Sequence, residues 1–483
     1  MKVKIDSLAA VSALLLASGC MTTRERIARY GNAVSYGRYQ EAERIVSDGA
    51  RPGTKDGLCW QLHKGSALAW QGRLDESTRA FDEAEDAYWN LDESSAVTRG
   101  AEHGAAVLLN DTVYPYAGTG HERIFCCLYK ALNYAALGQY DAARDEFNRA
   151  GERQNRYFEE RRKALQREEQ AIQRELGGHR NANGWSQTIL ANGALNSAVS
   201  ERCSYAHNLA QDPTALLGML ASRDFYNAYA GHVRAVFRAL NGDSARDDFK
   251  HVASIRSDVA LVSRDAVDFE SGRLPEGYVW VYVEDGLCPV REETRIDLPL
   301  GLIPYQEHIL YTGMALPYLV YRPEASDHYA IASSKENREM ELLTDVDQLV
   351  KTEFDIAFHG VVAREVTRLI LRTLPQIALE EAARHDRDNA GLYRLGQVLS
   401  AGFNLATIAA DLRIWSGLPK RVFAQRVAFA PGDTLTLGTR NGDIAIPLPE
   451  GCVNAIAIVK YPAPMAAPVI TVIPFNPKQG VNP

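Results

Sequence analysis

Asp297, Glu353, Asp355 and His359 are the side chains that come nearest to a set able to move protons. Paired carboxylates with a histidine can carry acid–base hydrolysis, provided a cleft gathers them and shifts their pKa values. Their spacing fits no reaction pattern. The chain also lacks G-x-S-x-G, H-E-x-x-H and G-x-x-x-x-G-K, so the common hydrolase, zinc-protease and phosphate-binding devices are missing. "AGTGHER" (Ala117 to Arg123) holds a G-x-G without a third glycine or a preceding strand, and reads as a tight turn starting a helix. "RHDRDNAG" (Arg384 to Gly391) lacks the downstream glutamate of a calcium loop and reads as a solvated turn. His103, His121, His359 and His385 have no cluster at metal-ligand spacing, so neither metal nor cofactor is expected. Glu159, Glu160, Glu168 and Glu169 alternate with Arg161, Arg162 and Arg167, the pattern of a solvated helix face. Trp415, beside Leu418 and Pro419, reads as a packing anchor, with ligand stacking the lesser reading.

Cys20 carries a different chemistry. Lys2 and Lys4 precede an apolar run from Leu8 to Leu16, too short for a bilayer, which needs ~20 residues, but right for a secretory signal. The small residues Ala17, Ser18 and Gly19 sit directly before Cys20, and this resembles a bacterial lipoprotein signal. That resemblance implies a diacylglyceryl thioether on Cys20, removal of residues 1–19 and an acylated new amine; Met21 in place of Asp implies delivery to the outer membrane. Two or more acyl chains anchor durably. Of the other cysteines, Cys59, Cys126, Cys127, Cys203, Cys288 and Cys452, none forms a C-x-x-C pair, and their spacings suggest small buried hydrophobes. A net charge of −8 and the lack of a basic stripe give no reason to bind nucleic acid.

Positioning falls to two kinds of element. "CLYKALNYAALGQYDAARDEFNRA" places Ala131, Tyr134, Gly138, Tyr140, Ala143, Phe147 and Ala150 at the small and large positions of a tetratricopeptide (TPR) hairpin. Gly65, Gly72, Phe81 and Ala84 repeat the pattern, with Ser77 where Ala is usual, and Gly37, Tyr39, Ala42 and Val46 form a fainter copy. A fourth unit keeps Ala235, Gly242, Ala245 and Phe249 with a turn shorter by about two residues. A separate long charged helix is expected near residues 157–176.

After Leu274 the pattern turns to strands, beginning with "YVWVYVEDG" and resuming with "RVFAQRVAF", "DTLTLGT", "DIAIPLP", "CVNAIAIVKYP" and "APVITVIPF". Between the two sets, residues 343–412 are periodic as helix, and "GQVLSAGFNLATIAADL" reads as a buried one. The expected fold class is therefore α+β: a TPR-like α-helical solenoid over residues 20–265, then a β-rich, sandwich-like domain over residues 275–483 with a helical insertion near 343–412.

The motifs "YPYAGTGHERIFCCLYKALNYAALGQYDAARDEFNRA", "REETRIDLPL", "ALPYLVYRP", "KTEFDIAFHGVVAREVTR" and "DLRIWSGLPKRVFAQRVAF" together resemble a family of bacterial TPR-type lipoproteins without an assigned reaction. Members tend to be encoded near activator lipoproteins of cell-wall synthases, which implies a periplasmic setting and an envelope protein as partner. The expectation is a lipid-anchored scaffold that grips a protein in the exposed concave groove of its stacked hairpins and is not an enzyme; no small-molecule substrate is expected. The alternative is a peptidoglycan-acting hydrolase with its site in the β-rich half.

Overall fold

The computed structural model describes residues 21–97, 111–177, 225–270, 276–297 and 313–476. The helical half begins with α1 (Thr23–Ser35), α2 (Tyr39–Ser47), α3 (Gly57–Trp70), α4 (Leu74–Val97), α5 (Gly120–Ala136) and α6 (Tyr140–Gly177). It ends with α7 (Ala228–Leu240), α8 (Arg246–Ile255) and α9 (Ala260–Glu270). Gly37, Gly72, Gly138 and Gly242 adopt φ of +68° to +84° between paired helices, where a side chain would be strained. The turn at Gly242, expected to be the shorter one, is instead longer: residues 241–245 separate α7 from α8, against 137–139 between α5 and α6. Gly242 still donates its N–H to Ala239 O, as Gly138 does to Ala135 O.

The repeat positions pack as their sizes require. Ala131, Ala143, Phe147, Ala150 and Phe249 are buried, Tyr134 is half-buried, and Phe147 lies 4.8 Å from Phe237 between ring centres. Ser77 uses its hydroxyl, donating to Gly65 O at 2.8 Å and accepting from Asn133 at 3.0 Å. The separate helix expected near 157–176 is instead the continuation of α6, which runs 38 residues with no proline to break it.

The other half is a mixed-sheet assembly. Its strands are β1 (Tyr278–Asp285), β2 (Val290–Asp297), β3 (Gly313–Val320), β4 (Tyr329–Ala332), β5 (Asn337–Glu339) and β6 (Glu341–Asp345). Then come α10 (Val346–His385) and α11 (Ala390–Thr407), followed by β7 (Arg421–Ala428), β8 (Thr434–Thr439), β9 (Gly442–Pro447), β10 (Asn454–Tyr461) and β11 (Val469–Phe475). Five strands form one sheet in the order β11-β10-β1-β7-β6, with β1 parallel to β10 and antiparallel to β7. β5-β4-β8-β9 form a second sheet, and β2 and β3 a two-stranded ribbon. The helical pair thus interrupts the strands as expected, although Leu343 itself belongs to β6.

β1 is buried on both faces. Val279, Val281 and Val283 pack against Leu435, Leu437 and Ile331 of the second sheet. Trp280 and Tyr282 share a core with Phe125, Tyr129, Val233 and Phe237 of the helical half. This corrects the expected open groove: the inner side of α3, α5 and α7 is filled by the five-stranded sheet and the 411–418 segment. Tyr129 and Tyr229 donate to Glu284 at 3.0 and 2.9 Å, and Trp415 lies against Phe81 and Tyr129.

The helix expected to be buried near Gly396 is also corrected. Among the described residues α11 packs chiefly on α10, and Leu395 and Leu399 are more than half exposed. No helix among the described residues is long and apolar enough to cross a membrane.

Close helix approach makes one glycine decisive. A Cβ on Gly65 would lie 2.4 Å from Phe81 Cε1, whereas one on Gly391 meets nothing within 4 Å. Gly65→Ala is expected to lower stability by about 1–3 kcal/mol. Gly391→Ala, in the first turn of α11, should leave it unchanged or raise it slightly. Urea midpoints measure both.

Candidate functional site

A cleft of about 760 Å³ opens where four elements meet: the 111–119 loop, α10, the β2–β3 ribbon and the 408–413 segment. The loop is shaped by a 3₁₀ turn at Asp111–Val113 and by Gly118 at φ +65°, where a Cβ would lie 2.6 Å from the Tyr88 hydroxyl. Thr119 then caps α5, donating its N–H to Glu122 at 3.0 Å, so "AGTGHER" is the helix-starting turn its composition suggests. Glu122 is fully buried and also accepts from the Tyr116 hydroxyl and from the Trp415 N–H at 2.7 Å.

The walls are pinned by charge. Arg413, almost wholly buried, donates to both oxygens of Asp411 at 2.8 Å, to Asp56 at 2.8 Å and to Tyr114 O at 2.9 Å. Arg368 pairs with Asp111 at 2.6 Å and with Glu365, whose pKa burial pushes up against the pull of that arginine. Glu353 accepts from the Gly120 N–H at 2.9 Å and lies 2.5 Å from His121 Nδ1, which docks α10 on the positive end of α5. What remains free to meet a ligand is mainly apolar: Tyr114, Pro317, Phe354, Ala357, Phe358 and Val361. Arg291 is the exception. Among the described residues it makes no ion pair, its Nε lacks a hydrogen-bond partner, and its guanidinium lies 5.8 Å from the Phe354 ring centre.

A second groove, of about 1210 Å³, adjoins the first at Gly118, Thr119 and Glu353, and contains the exposed Trp89.

The acid–base set does not assemble among the described side chains. Glu353 turns to His121, while Asp355, two residues on, turns to Lys351. The side chains of Asp297 and His359 lie outside the described residues, as do His103, Cys20 and Cys203. His121 joins Glu353 across 232 positions, which no local pattern signals. Thr119 Oγ1 lies 3.2 Å from both nitrogens of that ring. An oxygen equidistant from the two lies across the ring and not along either lone pair, so no nucleophile–base alignment results. Exposed His385 sits at the end of α10, and Asp386 closes the following turn by accepting from Asn389 N–H.

Glu85, Cys127 and Glu146 have donor atoms close enough to hold a metal, but Lys130 Nζ lies 2.6 Å from Glu85 and 2.9 Å from Glu146. An ammonium there fills the role of the cation. Cys59, Cys126, Cys127, Cys288 and Cys452 are buried and unpaired.

The 411–418 segment is held from below by His63, which is fully buried. Its Nδ1 lies 2.7 Å from Cys59 O and its Nε2 accepts from the Ser416 N–H at 3.2 Å, so these partners assign a neutral Nδ1–H ring. Burial pushes its pKa down to about 4.

No family model matches the chain, and neither does any curated protein or solved structure.

Because the fold favours neutral His63, its contribution is complete above the unfolded pKa near 6.5 and is lost as pH falls toward about 4. The stability difference between the wild type and non-titrating His63→Gln should therefore shrink by roughly 2 kcal/mol between pH 7 and pH 5. Denaturant titrations at the two pH values measure it.

Proposed function

We propose that this chain is a bacterial outer-membrane lipoprotein, anchored through Cys20 on the periplasmic side, that binds an envelope protein at the 111–119 cleft and catalyses no reaction. Its helical pairs are read as TPR-like repeats, on the left-handed glycines between them and the small–large packing within them. Its two facing sheets are read as sandwich-like, on the shared core of β1, β4 and β8. The family resemblance adds cell-wall assembly as the setting.

The cleft itself carries the binding reading. A solenoid usually receives its partner on the inner face, but here that face is occupied by Trp280, Tyr282 and Trp415. The cleft offers Phe354 and Phe358 for apolar contact and Arg291 for a carboxylate. Arg368 is already paired with Asp111 and Glu365, and Arg413 with Asp56 and Asp411, which supports binding over catalysis.

A photo-crosslinking residue at Ala357, exposed on the cleft wall, should give one discrete adduct in cells, and Arg291→Glu should weaken that adduct several-fold. A ladder of abundant bystanders, or an adduct indifferent to Arg291, contradicts the site. For the anchor, metabolic palmitate should label the wild type and not Cys20→Ala. A blank wild type contradicts it.

A further inference from the structure

The α10–α11 hairpin is built inside out for water. Gln397, nearly buried, donates to Gln376 O at 3.3 Å and to Glu380 at 3.1 Å across the pair, and buried Asn404 donates to Arg372 O at 3.3 Å. The opposite side of α11 exposes Leu392 (66 %), Leu395 (53 %), Leu399 (65 %) and Phe403 (52 %), with Val398 beside them. These positions recur every three or four residues and form one continuous apolar stripe. A helix that spends amides inward and turns leucines outward matches an apolar medium, since scattered exposed hydrophobes need no explanation but a contiguous row does.

The chain's own attachment point says which medium lies near. One residue, Met21, separates Cys20 from Thr22, the N-cap of α1, so an acyl-bearing Cys20 stands within roughly 7 Å of the folded body. Arg24, in the first turn of α1, reaches Glu292 of β2 at 3.3 Å. The next residues of β2 hold the segment that leaves α11: Glu293 accepts from Ala410 N–H at 3.1 Å, and Arg295 donates to Ile408 O at 2.8 Å. The first turn of α1 and the segment that leaves α11 thus both contact β2.

Resting on the lipid-anchor reading, we propose that the apolar stripe of α11 is a second membrane contact, lying in the surface of the bilayer that receives the Cys20 acyl chains. The 18 residues of α11 span about 27 Å. The tip carries Arg384, His385, Asp386, Arg387 and Asp388, which belong among headgroups and not in hydrocarbon. The hairpin therefore lies flat, as an interfacial helix does. With the short tether, this fixes how the body stands on the membrane.

The test uses residues 20–483 with Cys20→Ser, so that neither the apolar leader nor an acyl group contributes, and vesicles of phosphatidylethanolamine and phosphatidylglycerol. It should float with the vesicles. Leu395→Glu/Leu399→Glu, and independently Phe403→Gln/Leu392→Gln, should each reduce the floated fraction by about tenfold or more while leaving the unfolding midpoint unchanged. An unlipidated chain that stays in the bottom fraction overturns the proposal. So does a variant that changes the oligomeric state by size exclusion without changing flotation, which would make the stripe a face for a second copy. Palmitate labelling of the wild type reads the anchor separately.

Discussion

A strand that is apolar on both faces must be covered on both. In β1 the valines 279, 281 and 283 alternate with Trp280 and Tyr282, and no side of it can meet water. The second sheet covers one face and the helical half covers the other. Neither cover is complete without the strand between them. Two regions of contrasting sequence character therefore share one core, and the first helix of each pair, from α3 to α7, is spent on the chain's own sheet and 411–418 segment.

Apolar burial alone would let helices slide on a sheet; buried polar groups fix the register. Glu284 accepts from tyrosines of two helices and pairs with Lys460 at 3.2 Å. Asp265 of α9 accepts from Trp280 Nε1 at 2.8 Å and lies 3.1 Å from His232 Nε2, while His232 Nδ1 is 2.8 Å from the Tyr282 hydroxyl. Arg426 stands 2.9 Å from the other oxygen of Asp265. Removing any one partner leaves a charged or polar group without an answer in a dry interface. The cleft follows from the same logic, because Arg413 and Glu122 tie the 411–415 segment to the 111–119 loop and leave a gap beside α10.

Local spacing carried much of this architecture. The glycines, alanines and aromatics of the helical pairs, the five late strands and the helical interruption are all visible as short-range pattern. What the sequence hid is long-range or two-valued. That α5 and α7 would close on the five-stranded sheet, and α3 on the 411–418 segment, far along the chain, leaves no mark in their own periodicity. His121 and Glu353 meet only through the docking of α10 on α5. For α11 the periodicity was present but ambiguous: it separates a polar side from an apolar one without saying which faces the protein. Gln397 and Asn404 suggested a tolerated polar minority in a buried helix, yet they are the inward side.

Native-state hydrogen exchange across a denaturant series tests the shared core most directly. The account predicts that the slowest amides of α3, α5, α7 and β1 open together, with one free energy and one denaturant dependence. Strand amides that open while those helices stay protected, or the reverse, would contradict it.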